Sequence, residues 1–517
     1  MMIEMEAAVH SVSIDGENLT LEQVRSAARN MAPVRLHVSG KEKLLKSRKV
    51  VERIISRGEV AYGITTGFGK FSDVSISKED CNTLQKNIIM SHSCGVGEPL
   101  PQEVVRAMML LRANSLAKGY SGVRLEVVEL LLNMLNSGIH PVVPCKGSVG
   151  ASGDLIPLSH IALAMIGLGE VEYNGQVIPS KEALQKAGLR PVTLTAKEGL
   201  ALINGTQYMG ALGCLAVCDA LDLLEAASIA AAMSFEALEG IPSAFDPRVH
   251  ELRPHQGQRV CARLMLRLLK GSELLERKKH KRVQDAYTLR CIPQVHGASL
   301  DAINYVKGVL ETEINSVTDN PLIFPEGGDV ISGGNFHGQP LALALDFLAI
   351  AVSELGNISE RRVERLVNPS LNGDLPPFLT KNGGLNSGLM LLQYAAAALV
   401  SENKVLSHPA SVDSIPTSGN QEDHVSMGSI AARKVRTVVE NVSWVIAAEM
   451  FAASCGMEYI SHQVGQGTGI ACHLIQERVP HHEDDQILYK DLNKVYDLLI
   501  SGLITREVER VMGELLQ

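Results

Sequence analysis

The chain has 517 residues, of which 45% are hydrophobic and only 4% are aromatic, and its formal net charge is −9. Ala and Leu dominate the apolar runs, which favours helix over sheet and allows a large aliphatic core. The negative charge argues against a nucleic-acid-binding protein, because no basic stripe exists to neutralise phosphates; the one basic cluster, residues 277–282, is short and is interpreted as a solvated loop or helix end.

The nine cysteines are irregularly spaced and include no CxxC pair. An odd number of scattered cysteines indicates free thiols in a reducing compartment rather than a disulfide framework. The N-terminus lacks the basic and apolar regions of a signal peptide, and the longest uncharged stretches, 199–218 and 382–401, are too rich in polar residues and glycine to span a membrane. We therefore predict a cytoplasmic protein that binds neither nucleic acid nor membranes.

The first two hundred residues predict short elements of both kinds. The residues that follow Thr20 have the capping-box spacing of a helix start. Residues 170–179 predict a β-hairpin around the Asn174-Gly175 turn. Residues 34–38 alternate between apolar and polar side chains, which predicts a strand. Residues 42–57 carry apolar side chains at helical spacing, which predicts a helix.

Glycines cluster, together with polar residues, at 62–69, 146–154 and 331–338. Such clusters allow a backbone to adopt positive φ angles or to approach a ligand closely. One cluster could be an ordinary turn, but three of them predict the walls of a functional site.

From residue 207 onward the sequence predicts long helices that are apolar on all sides, as in helices buried within a bundle or between subunits. The clearest examples are 209–238, 340–364, 387–406 and 431–455. The predicted fold class is therefore mainly α. A smaller mixed N-terminal domain, residues 1–219, carries the 146–154 loop, and residues 220–517 form a large bundle of long, roughly parallel and antiparallel helices.

The tripeptide Ala151-Ser152-Gly153 alone is a weak signal, but it lies in a glycine-rich loop that opens an apolar helix. The stretch 147–160 resembles the active-site loop of the aromatic amino acid ammonia-lyase family. Further segments resemble that family in the same order, and the resemblance extends from Tyr62 to about residue 456. These segments are 202–207, 283–294, 319–321, 334–338 and 421–427.

The resemblance implies that Ala151, Ser152 and Gly153 cyclise with loss of two waters to give a 4-methylidene-imidazol-5-one, so that no external cofactor is needed. The residue types suit this reaction, because Gly153 offers an unhindered amide nitrogen and Ser152 can lose its hydroxyl. Ala151 is small enough for the loop to compress. The product is an electrophile that makes the amine a better leaving group, while a positioned base takes the barely acidic β-proton.

The family's pattern also implies roles for eight further residues. Tyr62 matches the tyrosine that removes the β-proton, for which the usual phenol pKa of ~10 must be lowered. Arg290 matches the arginine whose guanidinium binds the substrate carboxylate. Phe336 is expected to pack against the substrate or the electrophile, or else in the core. The implied catalytic residues, besides the tripeptide, are Tyr62, Tyr287 and Glu422, and the implied substrate-binding residues are His92, Asn204, Gln284, Arg290 and Phe336.

Glu422 and His92 indicate the substrate. Family members that act on histidine carry Gln-Glu-Asp-His-Val-Ser-Met at 421–427, as this chain does, whereas those that act on phenylalanine or tyrosine usually lack the glutamate. A carboxylate can accept a hydrogen bond from an imidazole N–H, but a phenyl ring would leave it desolvated. The expected reaction is elimination of ammonia from L-histidine to give trans-urocanate.

Three alternatives remain open. His92 alone does not decide the substrate, and Ile64-Thr65-Thr66 is closer to the phenylalanine-specific members. The chain could therefore be a tyrosine or phenylalanine ammonia-lyase, or a 2,3-aminomutase that uses the same electrophile. A catalytically dead helical scaffold is the third alternative, against which the intact tripeptide argues.

The histidines predict no metal site, because His408 and the pair His481-His482 lack a ligand spacing. The long apolar helices exceed what one bundle of this size would bury. Together with the family's pattern, they imply a homotetramer in which several subunits contribute to each active site.

Overall fold

A computed structural model describes residues 11–67, 69, 74, 76–77, 80–480 and 484–516. Nineteen α-helices and nine short strands lie in these residues, which confirms the predicted mainly α fold class. The first ten residues and the pair His481-His482, on which two of the predictions above rest, lie outside the described residues.

The chain divides into two compact units. Unit 1 comprises residues 1–218, 307–346 and 409–433, and unit 2 comprises 219–306, 347–408 and 434–517. This grouping differs from the predicted single cut at residue 219, because two later segments belong with the N-terminal residues. One physical reason is that the backbone N–H of Met427 donates to the Val149 carbonyl at 2.9 Å.

The strands, which are short and all lie in unit 1, form four small sheets. The first sheet is parallel and pairs β1 with β2, and the other three are antiparallel, with the orders β3-β5, β4-β6-β7 and β8-β9. In chain order the strands are β1 (Val12–Ile14), β2 (Val34–Leu36), β3 (Val96–Pro99), β4 (His140–Pro141), β5 (Pro144–Lys146), β6 (Glu170–Tyr173), β7 (Gln176–Pro179), β8 (Leu322–Phe324) and β9 (Asp329–Ile331).

Helices are the main regular element in both units and make up most of unit 2. Those up to the end of α8 belong to unit 1: α1 (Leu21–Arg29), α2 (Val38–Arg57), α3 (Cys81–His92), α4 (Gln102–Ala117), α5 (Leu125–Asn136), α6 (Leu155–Met165), α7 (Ser180–Lys186) and α8 (Glu198–Ile203). The others are α9 (Gln207–Ala237), α10 (Pro247–Glu251), α11 (Gln256–Leu268), α12 (Tyr287–Arg290), α13 (Ile292–Glu313), α14 (Gln339–Val367), α15 (Met390–Leu406), α16 (Gly428–Met457), α17 (Gln466–Arg478), α18 (Leu488–Ile500) and α19 (Leu503–Met512).

Local sequence signals explain several element boundaries. Thr20 and Gln23 form the predicted capping box at the start of α1, and β6 and β7 form the predicted hairpin. The predicted strand 34–38 ends at Leu36, because the His37 side chain accepts a hydrogen bond from the Ser39 N–H and caps α2. Gly58, in the left-handed conformation, ends α2.

A hydrophobic cluster in unit 1 supports the glycine-rich segment that begins at Tyr62. Three of its members lie on α2, and Ile64 of the glycine-rich segment is fully buried among them. Because a buried side chain resists displacement, Ile64 fixes the backbone that carries Tyr62. The cluster consists of Val50, Val51, Ile54, Ile64, Cys81, Ala196 and Ile323.

Two of the described helices, α14 and α16, are long and apolar enough to cross a membrane. Most of the residues in their apolar windows are buried, 72% in α14 and 83% in α16. Core helices of soluble proteins have the same properties, so this is weak evidence for a membrane span.

Candidate active site

The tripeptide lies in a tight loop between β5 and α6. The loop has positive φ angles at Gly147, Gly150, Ser152 and Gly153, of 131°, 79°, 54° and 78° respectively. A Cβ atom on Gly153 would lie 2.1 Å from the carbonyl oxygen of Gly205. Only glycine therefore fits at position 153, and the neighbouring Ser152 adopts a conformation that is costly for a residue with a side chain.

Asp154 attaches this loop to the start of α9. Its backbone N–H donates to the Gly205 carbonyl at 2.6 Å, and its carboxylate accepts hydrogen bonds from the backbone N–H groups of Tyr208 and Met209 at 3.0 and 2.9 Å. Complete burial raises the pKa of the Asp154 carboxyl to about 7. The tripeptide and the predicted segment 202–207 are thereby held together.

Asn204 lies at the end of α8, beside the loop. Its carbonyl accepts a hydrogen bond from buried Arg112 at 2.6 Å, and its Nδ2 donates to the Asn320 carbonyl at 3.0 Å. The side-chain oxygen Oδ1 is buried and has no hydrogen-bond partner among the described residues. An unpaired buried acceptor of this kind is available to a ligand.

Tyr62 lies in a segment fixed by threonine side chains. Thr65 Oγ1 accepts from the Ala61 N–H at 2.9 Å and donates to the Glu59 carbonyl at 3.0 Å, and Thr66 Oγ1 accepts from the Gly63 N–H at 3.2 Å. Thr65 and Thr66, in the segment that is closer to the phenylalanine-specific members, therefore have structural roles.

The pKa of the Tyr62 phenol is raised, mainly by burial and further by the negative charges of Glu422 and Asp319. The phenol oxygen accepts one long hydrogen bond, 3.5 Å, from the Gly69 N–H. This direction is opposite to the lowered pKa that a base at neutral pH requires.

Glu422 lies against the tripeptide. One of its carboxylate oxygens, Oε1, accepts a hydrogen bond from Ser152 Oγ at 2.9 Å, and the other, Oε2, accepts one from Thr417 Oγ1 at 2.8 Å. The segment that follows is also bound to the loop, since Ser429 Oγ donates to the Ser148 carbonyl at 2.6 Å.

His92 is the last residue of α3 and is half-buried. Burial lowers the pKa of its imidazole, and the negative charge of Glu422 acts in the opposite direction. The charge of Glu422 therefore favours the protonated form of the His92 imidazole.

Phe336 is half-buried in the third glycine-rich segment. This segment is joined to the Asn320 loop, because Asn320 Oδ1 accepts a hydrogen bond from the Gly333 N–H at 2.8 Å. The imidazole of His337 stacks on that of His424, with ring centroids 5.5 Å apart.

Gln284, Tyr287 and Arg290 belong to unit 2. Gln284 and Tyr287 are exposed, and the Arg290 guanidinium lies 4.5 Å from the centroid of the Tyr287 ring, an arrangement that permits a cation–π interaction. The buried Arg290 Nε has no partner among the described residues. Of the predicted site, the tripeptide, Tyr62, His92, Asn204, Phe336 and Glu422 all belong to unit 1, where Glu422 contacts Ser152.

One buried ion pair was missed by the reasoning from sequence. Lys197 Nζ lies 2.8 Å from Asp319 Oδ2, and both side chains are fully buried. Burial lowers the pKa of Lys197, and the charge of Asp319 opposes this effect. Asp319 stood in a motif that was recognised, but Lys197 gave no signal, because its partner is distant in sequence.

The described residues contain no group of three or more His, Cys, Asp or Glu side chains arranged to hold a metal ion. All nine cysteines are described, and each is a free thiol.

Comparisons with known proteins identify relatives of this chain. A family model described as aromatic amino acid lyase matches residues 19–477. A histidine ammonia-lyase of Caldanaerobacter subterraneus subsp. tengcongensis is 60% identical over 507 residues, which cover 98% of this chain and 99% of that protein.

Two solved structures are also similar. The crystal structure of histidine ammonia-lyase from Trypanosoma cruzi matches with a TM-score of 0.90 and 45% identity, covering 97% of this chain and 95% of that one. A tyrosine aminomutase from Streptomyces globisporus matches with a TM-score of 0.93 and 38% identity, covering 98% and 100%.

Proposed function

Because the chain belongs to the aromatic amino acid lyase family, we propose that it eliminates ammonia from L-histidine and releases trans-urocanate. The relative that is 60% identical over nearly the whole chain is named a histidine ammonia-lyase, which supports this choice of substrate.

One observation carries the proposal. The carboxylate of Glu422 contacts the side chain of Ser152 at 2.9 Å, so an acceptor for an imidazole N–H stands directly at the tripeptide. A site with such an acceptor favours a ring that can pair with it, since an apolar ring would leave the carboxylate unsatisfied.

The residues at the tripeptide fit the methylidene-imidazolone that we propose forms from Ala151, Ser152 and Gly153. Gly153 lacks a Cβ where one would collide with Gly205, so its backbone nitrogen is unhindered. The prosthetic ring offers only hydrogen-bond acceptors, its carbonyl oxygen and imine nitrogen, so the unpartnered Oδ1 of Asn204 can accept a hydrogen bond from the substrate but not from the ring. Once formed, the group supplies an electrophile that activates the amine for departure, so no external cofactor is required.

The side chains around the group have complementary roles. Tyr62 takes the β-proton as a general base, and His92 and Glu422 hold the imidazole ring by hydrogen bonds. Phe336 packs against the substrate or the prosthetic group. Since Tyr62 has a raised pKa without substrate, the ammonium group of the bound substrate would help to lower it.

The remaining site residues act on the carboxylate end of the substrate. Arg290 has an unpaired Nε and a planar guanidinium suited to bidentate binding of a carboxylate. Tyr287 and Gln284 lie in the same segment; we assign Tyr287 to catalysis and Gln284 to substrate binding.

We further propose a homotetramer with active sites shared between subunits. Large apolar side chains are exposed at positions 347 and 350 of α14 and at 391 and 394 of α15, and such faces are typical of subunit interfaces. The nine free thiols support a cytoplasmic location. No nucleic acid or membrane partner is proposed.

A tyrosine-directed lyase or 2,3-aminomutase is the second candidate, favoured by the similarity to a tyrosine aminomutase with a TM-score of 0.93. Assays of the purified protein with histidine, tyrosine and phenylalanine separate the two. We expect histidine to be consumed fastest and urocanate to accumulate. A β-amino acid product, or faster turnover of tyrosine, would replace the proposal with this alternative.

A mass measurement tests the prosthetic group. The intact protein should be lighter than its translated sequence by two waters, and Ser152→Ala should abolish both this loss and most of the activity. Ser13→Ala, a change at an exposed serine of β1, should keep both. Active protein with the full translated mass would contradict the mechanism.

A further inference from the structure

We infer that Thr417 is a positioning residue that makes the site selective for an imidazole by fixing the carboxylate of Glu422. This inference rests on the proposed function.

The two oxygens of the Glu422 carboxylate have different partners. Oε2 accepts a hydrogen bond from Thr417 Oγ1 at 2.8 Å, and Oε1 accepts one from Ser152 Oγ at 2.9 Å. Cyclisation of the tripeptide removes the Ser152 oxygen as water. Oε2 then keeps its hydrogen bond from Thr417, and Oε1 is left as a free acceptor facing the space that the Ser152 hydroxyl had occupied.

The backbone places Thr417 opposite Glu422. The two residues form an isolated antiparallel bridge, in which the Thr417 N–H donates to the Glu422 carbonyl at 2.9 Å and the Glu422 N–H donates to the Thr417 carbonyl at 3.4 Å. Any side chain at 417 would therefore lie beside Glu422, but only a hydroxyl can donate to it.

The turn between them is strained. Ser418, Gly419 and Asn420 are all left-handed, with φ angles of 52°, 61° and 65°. This conformation is unfavourable for Ser and only tolerated by Asn. Backbone strain that persists in a native structure is concentrated at functional sites, and here the strained residues serve to bring 417 and 422 together.

Without the Thr417 hydroxyl, the Glu422 carboxylate would be free to rotate. A hydrogen bond to a charged group contributes enough that its loss corresponds to about 10- to 100-fold in an equilibrium or rate constant. The loss should fall on ligands that pair with Oε1, because a ligand without a ring N–H does not use this acceptor.

Two variants test the inference. Thr417→Val keeps the branched shape and the backbone bridge but removes the donor, and Thr417→Ser keeps the donor. The matched control is Thr193→Val, at an exposed threonine of unit 1. The readouts are kcat and KM for histidine, the ultraviolet absorbance of the prosthetic group, and inhibition by urocanate and by cinnamate, which lacks the imidazole.

For Thr417→Val we expect kcat/KM for histidine to fall about 10- to 100-fold, with weaker inhibition by urocanate, unchanged inhibition by cinnamate and unchanged absorbance. Thr417→Ser should stay close to wild type, and so should Thr193→Val. Three results for Thr417→Val would each overturn the inference but not the proposed function: equally weakened inhibition by urocanate and cinnamate, loss of the absorbance, or wild-type kinetics. If the wild-type protein does not convert histidine, the proposed function fails together with it.

Discussion

Gly153 and Gly188 have nearly the same backbone conformation, with φ angles of 78° and 71°, but different surroundings. An added Cβ would lie 2.1 Å from a backbone oxygen at Gly153 and would meet nothing within 4 Å at Gly188. Position 153 therefore requires glycine both for its positive φ angle and for lack of space, whereas position 188 requires it only for its φ angle. Comparing substitutions at the two positions separates these two causes.

Gly153→Ala should prevent formation of the prosthetic group and destabilise the protein by ~3 kcal/mol or more, because a backbone atom cannot move aside cheaply. Gly188→Ala should cost only ~1 kcal/mol from the unfavourable φ. Intact mass and thermal unfolding measure the two effects. If both variants lost two waters and were equally stable, the contact with Gly205 would be unimportant.

We expect the stability of the folded protein to depend on pH through Asp154. Its pKa in the folded protein, about 7, lies above the ~3.9 of an unfolded aspartate, so the folded state binds the extra proton between these values. Stability from this group is therefore lost as the pH rises from ~4 to ~7.

Asp154→Asn removes this titration while keeping an oxygen that can accept from Tyr208 and Met209. The melting temperature of Asp154→Asn minus that of the wild type should increase from pH 5 to pH 8. The same difference for Asp329→Asn, at an exposed site, should not change with pH. A constant difference across this range would contradict the assignment.

We expect the rate of ammonia elimination to depend on pH through Tyr62. Because burial raises the pKa of the phenol, little phenolate is present at neutral pH, and kcat/KM should rise with pH by up to about tenfold per unit. Tyr62→Phe should abolish turnover, and Tyr489→Phe, at an exposed tyrosine, should not. A rate that falls steadily above pH 7 would argue against Tyr62 as the base.

At this scale the sequence could predict residues that belong to recognisable motifs, such as Ser152 and Glu422. It could not predict Thr417 as a partner of Glu422, because the strained turn that brings them together follows no periodic pattern. It could not indicate that burial raises the pKa of the Tyr62 phenol, since burial depends on segments distant in sequence.

Among the elements, the long helices were predicted within a few residues. The segments predicted at 209–238 and 431–455 are α9 (Gln207–Ala237) and α16 (Gly428–Met457). Continuous apolar stretches are a strong local signal for such helices. The parallel pairing of β1 with β2 gave no signal, since it depends on residues about twenty positions apart.

The segment that carries Gln284, Tyr287 and Arg290 is positioned by Asp285. The buried Asp285 carboxylate accepts from the Ile241 N–H at 2.6 Å and from the Arg282 guanidinium at 2.9 Å. Part of the basic cluster at 277–282 is therefore an anchor in unit 2, rather than only a solvated loop.

Asp285→Asn should loosen this anchor and raise KM for the substrate by about tenfold with a smaller change in kcat, because the proposed carboxylate-binding residue lies five positions further on. Asp374→Asn removes an exposed partner of Lys281 in the same cluster and should leave KM unchanged. Equal effects of the two substitutions would assign the loss to the cluster's charge rather than to the anchor.

For the whole molecule, the family and fold class followed from motif order and helix content, but the grouping into units did not. The compact unit around the tripeptide contains residues 307–346 and 409–433, and a division read along the chain cannot recover such long-range packing.

The proposed shared sites make a testable prediction. Ser152→Ala and Arg290→Ala should each be inactive alone. If a site takes these residues from different subunits, tetramers refolded or co-expressed from a mixture should regain part of the activity. A mixture that stays as inactive as the two separate variants would contradict shared sites. Light scattering that shows an active monomer would also contradict them.

The hydrogen bond from Ser429 to Ser148 joins residues 281 positions apart, and this distance orders events during protein synthesis. While the ribosome has yet to translate residue 429, the loop at 151–153 lacks one of the contacts that hold it in shape. We therefore expect the prosthetic group to form after the chain is nearly complete, so that the modification marks molecules that have already folded. A chain truncated before residue 429 should keep its full translated mass.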